Sequence, residues 1–181
     1  MKKWMLMAVA VACVSVPEMA MGDPVRAGFG MDFGVPSGAA VGFVLHPGLD
    51  MLSVQASLTY NALNFGGRAS LQIDPMAEFL PRLPFGLFVD AQGGFAAAGN
   101  VPGHADKLPS LGYDYANLYG GLRFGRMNGF HWNIELGPSY LVAQTGNFQS
   151  VVGNNNGLKV GNPSANMWIT PTFQTGFQIT W

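Results

Sequence analysis

The residues best suited to proton transfer or metal binding are three histidines, His46, His104 and His131, because imidazole titrates near neutral pH and offers a lone pair to a metal. Their neighbours form no recognisable ligand cluster and no nucleophile–base arrangement. The single cysteine, Cys13, lies in the apolar N-terminal stretch, so no thiol chemistry or disulfide framework follows from it. Gly28-Phe29-Gly30 falls inside an alternating segment with no helix after it, which makes a poor nucleotide fingerprint. No catalytic residue, cofactor, metal or nucleic-acid partner is therefore expected. The other chemically capable groups are ionic: Arg26, Asp32, Arg68, Asp74, Asp90, Arg123 and Glu135. Three guanidinium groups and four carboxyls are close to balance, as an enclosed polar interior requires, since buried charges must be paired. Asp90 is expected roughly opposite Arg68, and Arg123 within diagonal reach of Glu135, giving two ion pairs with a structural task.

The elements that carry these groups alternate with a period of two, the signature of strands with two unlike faces. Val25, Ala27, Phe29, Met31, Phe33 and Val35 share one face of a first strand, with Arg26, Gly28, Gly30, Asp32 and Gly34 on the other. Pro36-Ser37-Gly38 turns the chain into a second strand over 40–46, and strands at 52–61 and 65–74 form another hairpin. A Pro-rich connection, 75–84, leads to a fifth strand over 85–95, in which Phe88 is the one bulky side chain in the polar register. Strands at 116–124, 130–140 and 167–181 complete eight, with Pro138 and Pro171 as interruptions that would suit a bulge or a sheet margin. Residues 1–22 read as a secretory signal, with Lys2 and Lys3, an apolar run to Val16, and Ala20-Met21-Gly22 as the cleavage site. A single domain, 23–181, follows.

Alternation is shared by soluble barrels, apolar inside, and membrane barrels, apolar outside; volume and charge separate them. The apolar register carries Phe29, Phe33, Phe43, Phe85, Phe95, Trp132, Phe173 and Phe177, whereas the opposite register is rich in glycine. Eight strands leave an interior only just wide enough for side chains, so the glycine-rich face fits inside. Charged residues make up only 10 % of the chain, and the only lysines after the signal are Lys107 and Lys159, both in loops. A solvated exterior would carry about 25–35 % charged residues. The expected fold is all-β: an eight-stranded antiparallel up-and-down transmembrane β-barrel. With both ends on the periplasmic side, the long loops 97–113 and 143–164 fall outside the cell.

In pattern the whole mature chain resembles the small outer-membrane barrels of the OmpA/OmpX type. The most specific local match is the end, Phe173-Gln174-Thr175-Gly176-Phe177-Gln178-Ile179-Thr180-Trp181, with Trp where Phe is commoner. The resemblance implies an outer-membrane location, a lipid-facing wall, and recognition of Phe173, Phe177, Ile179 and Trp181 by the barrel-assembly machinery. Some barrels of this size are lipid-modifying hydrolases whose strand-borne His and Ser lie two residues apart; here the stretch is His131-Trp132-Asn133, without the serine. The leading reading is a non-enzymatic barrel that contributes to envelope integrity or surface interaction. Its loops at 97–113 and 143–164 either hold a surface ligand or only cap the barrel. A narrow channel for small solutes and a secreted soluble barrel binding an apolar ligand are the alternatives.

Overall fold

The computed structural model describes residues 24–61, 64–98, 111–127, 129–149 and 161–181. The signal segment and His104 lie outside them. The strands are β1 (Arg26–Gly34), β2 (Gly38–His46), β3 (Leu52–Tyr60), β4 (Phe65–Ile73), β5 (Phe85–Ala96), β6 (Gly112–Gly125), β7 (Phe130–Thr145), the two-residue β8 (Asn162–Pro163) and β9 (Met167–Thr180). Each long strand pairs antiparallel with the next, and β9 pairs back onto β1, Gly28 opposite Thr180 and Gly34 opposite Gln174. Eight long strands therefore close a barrel with no free edge. β8 pairs only with β9, at Trp168 and Ile169, on the stretch of β9 that lies beyond the end of β1. The start of β1 and the end of β9 lie at one rim, the terminus end; the opposite rim is the loop end.

The apolar register points outward. Leu58 is 79 % exposed, Phe65 74 % and Phe43 68 %, whereas Arg68 is 4 % exposed and Arg123 2 %. Aromatic rings meet laterally on the outer wall: Phe29 with Phe43 at 4.6 Å, Tyr60 with Phe65 at 4.7 Å, Phe124 with Trp132 at 5.9 Å. A contiguous apolar surface of this extent is unstable in water and suited to hydrocarbon. Among the described residues no helix is long and apolar enough to cross a membrane; the strands do the crossing.

Three local expectations change, and the two prolines fall at interruptions of the pairing as expected. The 75–84 connection contains a helix, α1 (Pro75–Phe79), whose N-cap Asp74 accepts from Ala77 N and whose first turn holds Pro75. β6 starts at Gly112 rather than Ala116 and β7 runs on to Thr145, so both outer loops are shorter than the sequence suggested. The earlier start of β6 puts one charge, Asp114, on the outward register near the loop end, where Gln144 Nε2 donates to it. The two prolines face each other, Pro138 opposite Pro171. Backbone bonds Ala143 N→Asn166 O and Thr180 N→Gly129 O fix the alternation, which makes 138/171 a non-hydrogen-bonded pair whose nitrogens point to the far sides. There the β6–β7 register skips from Asn117↔Ser139 to Gly120↔Leu136, and the β1–β9 register has already ended at Gly34↔Gln174. Pro138 therefore breaks the β6–β7 ladder locally, with the same register resuming beyond it, whereas Pro171 lies past the end of the β1–β9 pairing.

Phe88 is 3 % exposed and points into the lumen. It fits because Gly121 is opposite: a Cβ there would lie 2.2 Å from the Phe88 ring. Glycine on the inner face thus makes room for large inward side chains.

The charged lumen as candidate functional site

At mid-height Arg68 on β4 is the hub. Its Nη2 pairs with Asp32 Oδ2 on β1, across the lumen, and its Nη1 donates to Gln174 Oε1 at 2.8 Å and Gln92 Oε1 at 3.5 Å. Asp32 also accepts from Gln55 Nε2 at 2.9 Å. Two further carboxylates share this layer, Asp90 and Glu135, both buried. They are held by amides: Gln92 Nε2 donates to Asp90 Oδ2 at 2.6 Å and to Glu135 Oε2 at 3.3 Å, and Gln174 Nε2 donates to Glu135 Oε2 at 3.2 Å. Asn117 and Ser139 extend the network toward the loop end through Asn117 Nδ2→Gln92 Oε1 (3.2 Å) and Ser139 Oγ→Asn117 Oδ1 (2.6 Å).

The terminus end is organised differently. Arg123 Nε donates to Asp74 Oδ2 at 2.6 Å, both groups fully enclosed. Asp74 is fixed a second time by its cap on α1, and Arg123 by its contact with the Gly125 carbonyl. Gly86 leaves the space for this pair, since a Cβ there would sit 2.4 Å from Asp74 Oδ2 and 2.6 Å from Arg123 Nη2. Arg26 pairs with Asp50 in the β2–β3 turn, and the Asp50 amide donates to Glu78 Oε2 at 3.1 Å, tying that turn to α1. A cavity of about 240 Å³, lined by Asp50, Ala77, Pro81, Arg123, Arg126 and Met127, opens at this rim.

The expected pairings Asp90–Arg68 and Arg123–Glu135 are both replaced. Arg68 binds Asp32 and Arg123 binds Asp74, and among the described residues neither Asp90 nor Glu135 has an ion-pair partner. The reason is geometric. Adjacent-strand register puts Gln72 opposite Asp90, with Arg68 four residues further along β4 opposite Gly94. In a tilted, narrow barrel a long side chain meets the far wall as readily as its neighbour. The partner that sequence reasoning missed outright is Asp50, which sits in a turn. The inward glutamines Gln55, Gln92 and Gln174 were visible in the polar register but carried no charge to draw notice.

Toward the loop end the lumen is filled by tyrosines. Tyr119 Oη donates to the Val35 carbonyl at 3.0 Å, Tyr113 Oη to the Pro36 carbonyl at 2.9 Å, and Thr172 Oγ1 to Tyr119 Oη at 3.0 Å. Phe148, from the segment after β7, packs on Tyr113 at 5.9 Å and on Trp168 at 5.9 Å.

The two described histidines have structural partners. His46 Nδ1 lies 3.1 Å from the Leu52 carbonyl, to which it donates, and His131 Nε2 donates to Gln178 Oε1 at 3.2 Å. Among the described residues no three His, Cys, Asp or Glu side chains are grouped to hold a metal. The last strand places Phe173, Ile179 and Trp181 on the outer wall with Phe177 half-buried beside Phe130, ring centroids 6.0 Å apart. Trp181 N donates to the Ala27 carbonyl at 3.0 Å, so the terminal residue takes part in closing the barrel.

No family model and no curated protein matches the chain. Two solved structures are similar to it: the N-terminal β-barrel domain of Pseudomonas aeruginosa OprF, at 14 % identity over 86 % of this chain and 96 % of that one, TM-score 0.43, and Neisserial surface protein A (NspA), at 12 % identity over 86 % and 94 %, TM-score 0.32. The closed eight-stranded wall and its outward apolar face carry the assignment as a transmembrane barrel.

Proposed function

We propose that the protein is a non-enzymatic, non-conducting barrel of the outer membrane, exported by a signal at residues 1–22, which contributes to envelope integrity and presents its loops at the cell surface. The observation that carries this reading is the mid-height layer, where Arg68, Asp32, Gln55, Gln92, Gln174 and Glu135 join strands on opposite walls by direct hydrogen bonds. With tyrosines filling the lumen above, the polar interior reads as a structural core. The loop-end connections, which include 97–113 and 143–164, face outward from the cell in this orientation and are where a surface ligand would bind. Planar-bilayer recording tests the reading: the refolded protein should show no steady single-channel conductance. A stable ohmic step in most insertions would replace the anchor with the narrow channel. Recovery in the periplasmic extract without detergent would instead favour the soluble carrier.

The outward face of β9 supports Phe173, Phe177, Ile179 and Trp181 as the strand read by the barrel-assembly machinery, with Trp181 its terminal aromatic. Removing Trp181 should lower the amount of folded, heat-modifiable barrel in membranes while leaving refolding of the purified chain in detergent largely intact. Equal loss in both settings would make Trp181 a packing residue only.

A further inference from the structure

We infer that the connection from α1 into β5, residues 79–84, is a membrane-interface anchor seated in the headgroup–acyl boundary of the leaflet at the terminus end. Phe79 is 75 % exposed and Leu80 49 %. Their direction is fixed, because the other side of α1 is held by three contacts: Ala77 is buried, Asp74 caps the helix, and Glu78 accepts from the Asp50 amide. The exposed apolar run does not end there. It continues through half-buried Leu83 and exposed Pro84 into Phe85 and Leu87, the first lipid-facing residues of β5, at 47 % and 58 % exposed. Phe85 is paired in register with Phe124, which contacts Trp132, so the connection is continuous with the aromatic zone of the outer wall.

Charge supports the same occupant. Arg82, inside this run, and Arg126 at the same rim are exposed and form no ion pair among the described residues. A cation beside exposed Phe and Leu matches the order of a phospholipid leaflet, anionic phosphates above acyl chains. The other connections at this rim, 47–51 and 126–129, are shorter and lack a run of this kind.

This inference rests on the membrane reading above, and the test separates the two. Apart from Cys13 the chain has no cysteine, so in a Cys13→Ser background single spin labels can be placed by Phe79→Cys and Leu80→Cys. Leu118→Cys serves as the lipid-wall control and Gln149→Cys as the aqueous control, and heat-modifiable migration checks that each variant folds. In phosphatidylcholine–phosphatidylglycerol vesicles, collision with oxygen reports lipid and collision with a nickel chelate reports water. Labels at 79 and 80 should give an oxygen-to-nickel ratio at least about threefold above that at 149, as an apolar face sunk in the interface requires. Ratios equal to that at 149, with 118 in lipid, would overturn the anchor and leave the barrel reading standing; that result is also expected if the segment is kept for a protein partner. A water-like ratio at 118 itself would overturn both.

Discussion

The two buried arginines of the lumen solve one electrostatic problem in opposite ways. Arg123 faces a single carboxylate, Asp74, fixed by a helix cap, beside a cavity that opens at the rim. Arg68 faces three carboxylates, Asp32, Asp90 and Glu135, and reaches only the first directly, with glutamine amides serving the others. The first arrangement is a local ion pair whose members belong to the N-cap of α1 and to β6. The second is a spoke system joining β1, β3, β4, β5, β7 and β9. A local pair fastens a rim, whereas a hub fills a section of the lumen and makes opposite walls depend on one cation. Removing a charge should therefore have unequal consequences at the two places.

The largest effect is expected for Arg68→Gln. It strips the only guanidinium from a layer that keeps three enclosed carboxyls, and breaking a buried ion pair from one side costs about 3–5 kcal/mol. Urea unfolding in lipid vesicles, followed by gel mobility, should show a loss in that range. A loss under about 1 kcal/mol, the size of an exposed pair, would mean the hub is not a hub. Arg123→Gln should cost less, about 2 kcal/mol, because Arg123 lines the rim cavity, and shortening it opens a path for water to the otherwise enclosed Asp74. If Arg123→Gln proves the more damaging, the comparison is inverted and the rim pair is the main fastening of the lumen.

Much of this was legible in the residues, and what was not has a definable cause. A period of two assigns each side chain to a face, so the inward placement of Asp32, Asp74 and Glu135 could be read from Phe33, Ile73 and Ile134 beside them. Hairpin register then gives neighbours on adjacent strands. It does not say which heights meet across a barrel, because that depends on the tilt and stagger with which the whole sheet closes. Arg68 therefore found Asp32, thirty-six positions away, instead of a residue one strand over. The helix α1 left local signals, Asp74-Pro75 and Glu78, but five residues are too few for helical periodicity to register. Alternation taken only from Ala116 leaves Tyr113 and Tyr115 outside the sixth strand, although Tyr113, Tyr115, Asn117 and Tyr119 all lie in the inward register of one strand.

The smallest effect has the opposite sign. Asp90 Oδ2 accepts from Gln92, while its Oδ1 has no hydrogen-bond partner among the described residues. Ionised, it adds a second or third negative charge to a layer with one cation, and an enclosed charge without a counter-ion is a net cost. Asp90→Asn keeps an oxygen for Gln92 Nε2 and removes that charge, with almost no change in volume. Near neutral pH the variant should unfold at the same urea concentration as the parent or slightly higher, a gain of up to about 1 kcal/mol, the scale of a single hydrogen bond. In an Arg68→Gln background the gain should grow, because the carboxylates then have no cation at all and each one removed relieves more repulsion. A destabilisation by Asp90→Asn that disappears once Arg68 is gone would mean that Asp90 shares the Arg68 charge after all, and the one-carboxylate hub would have to be redrawn with two.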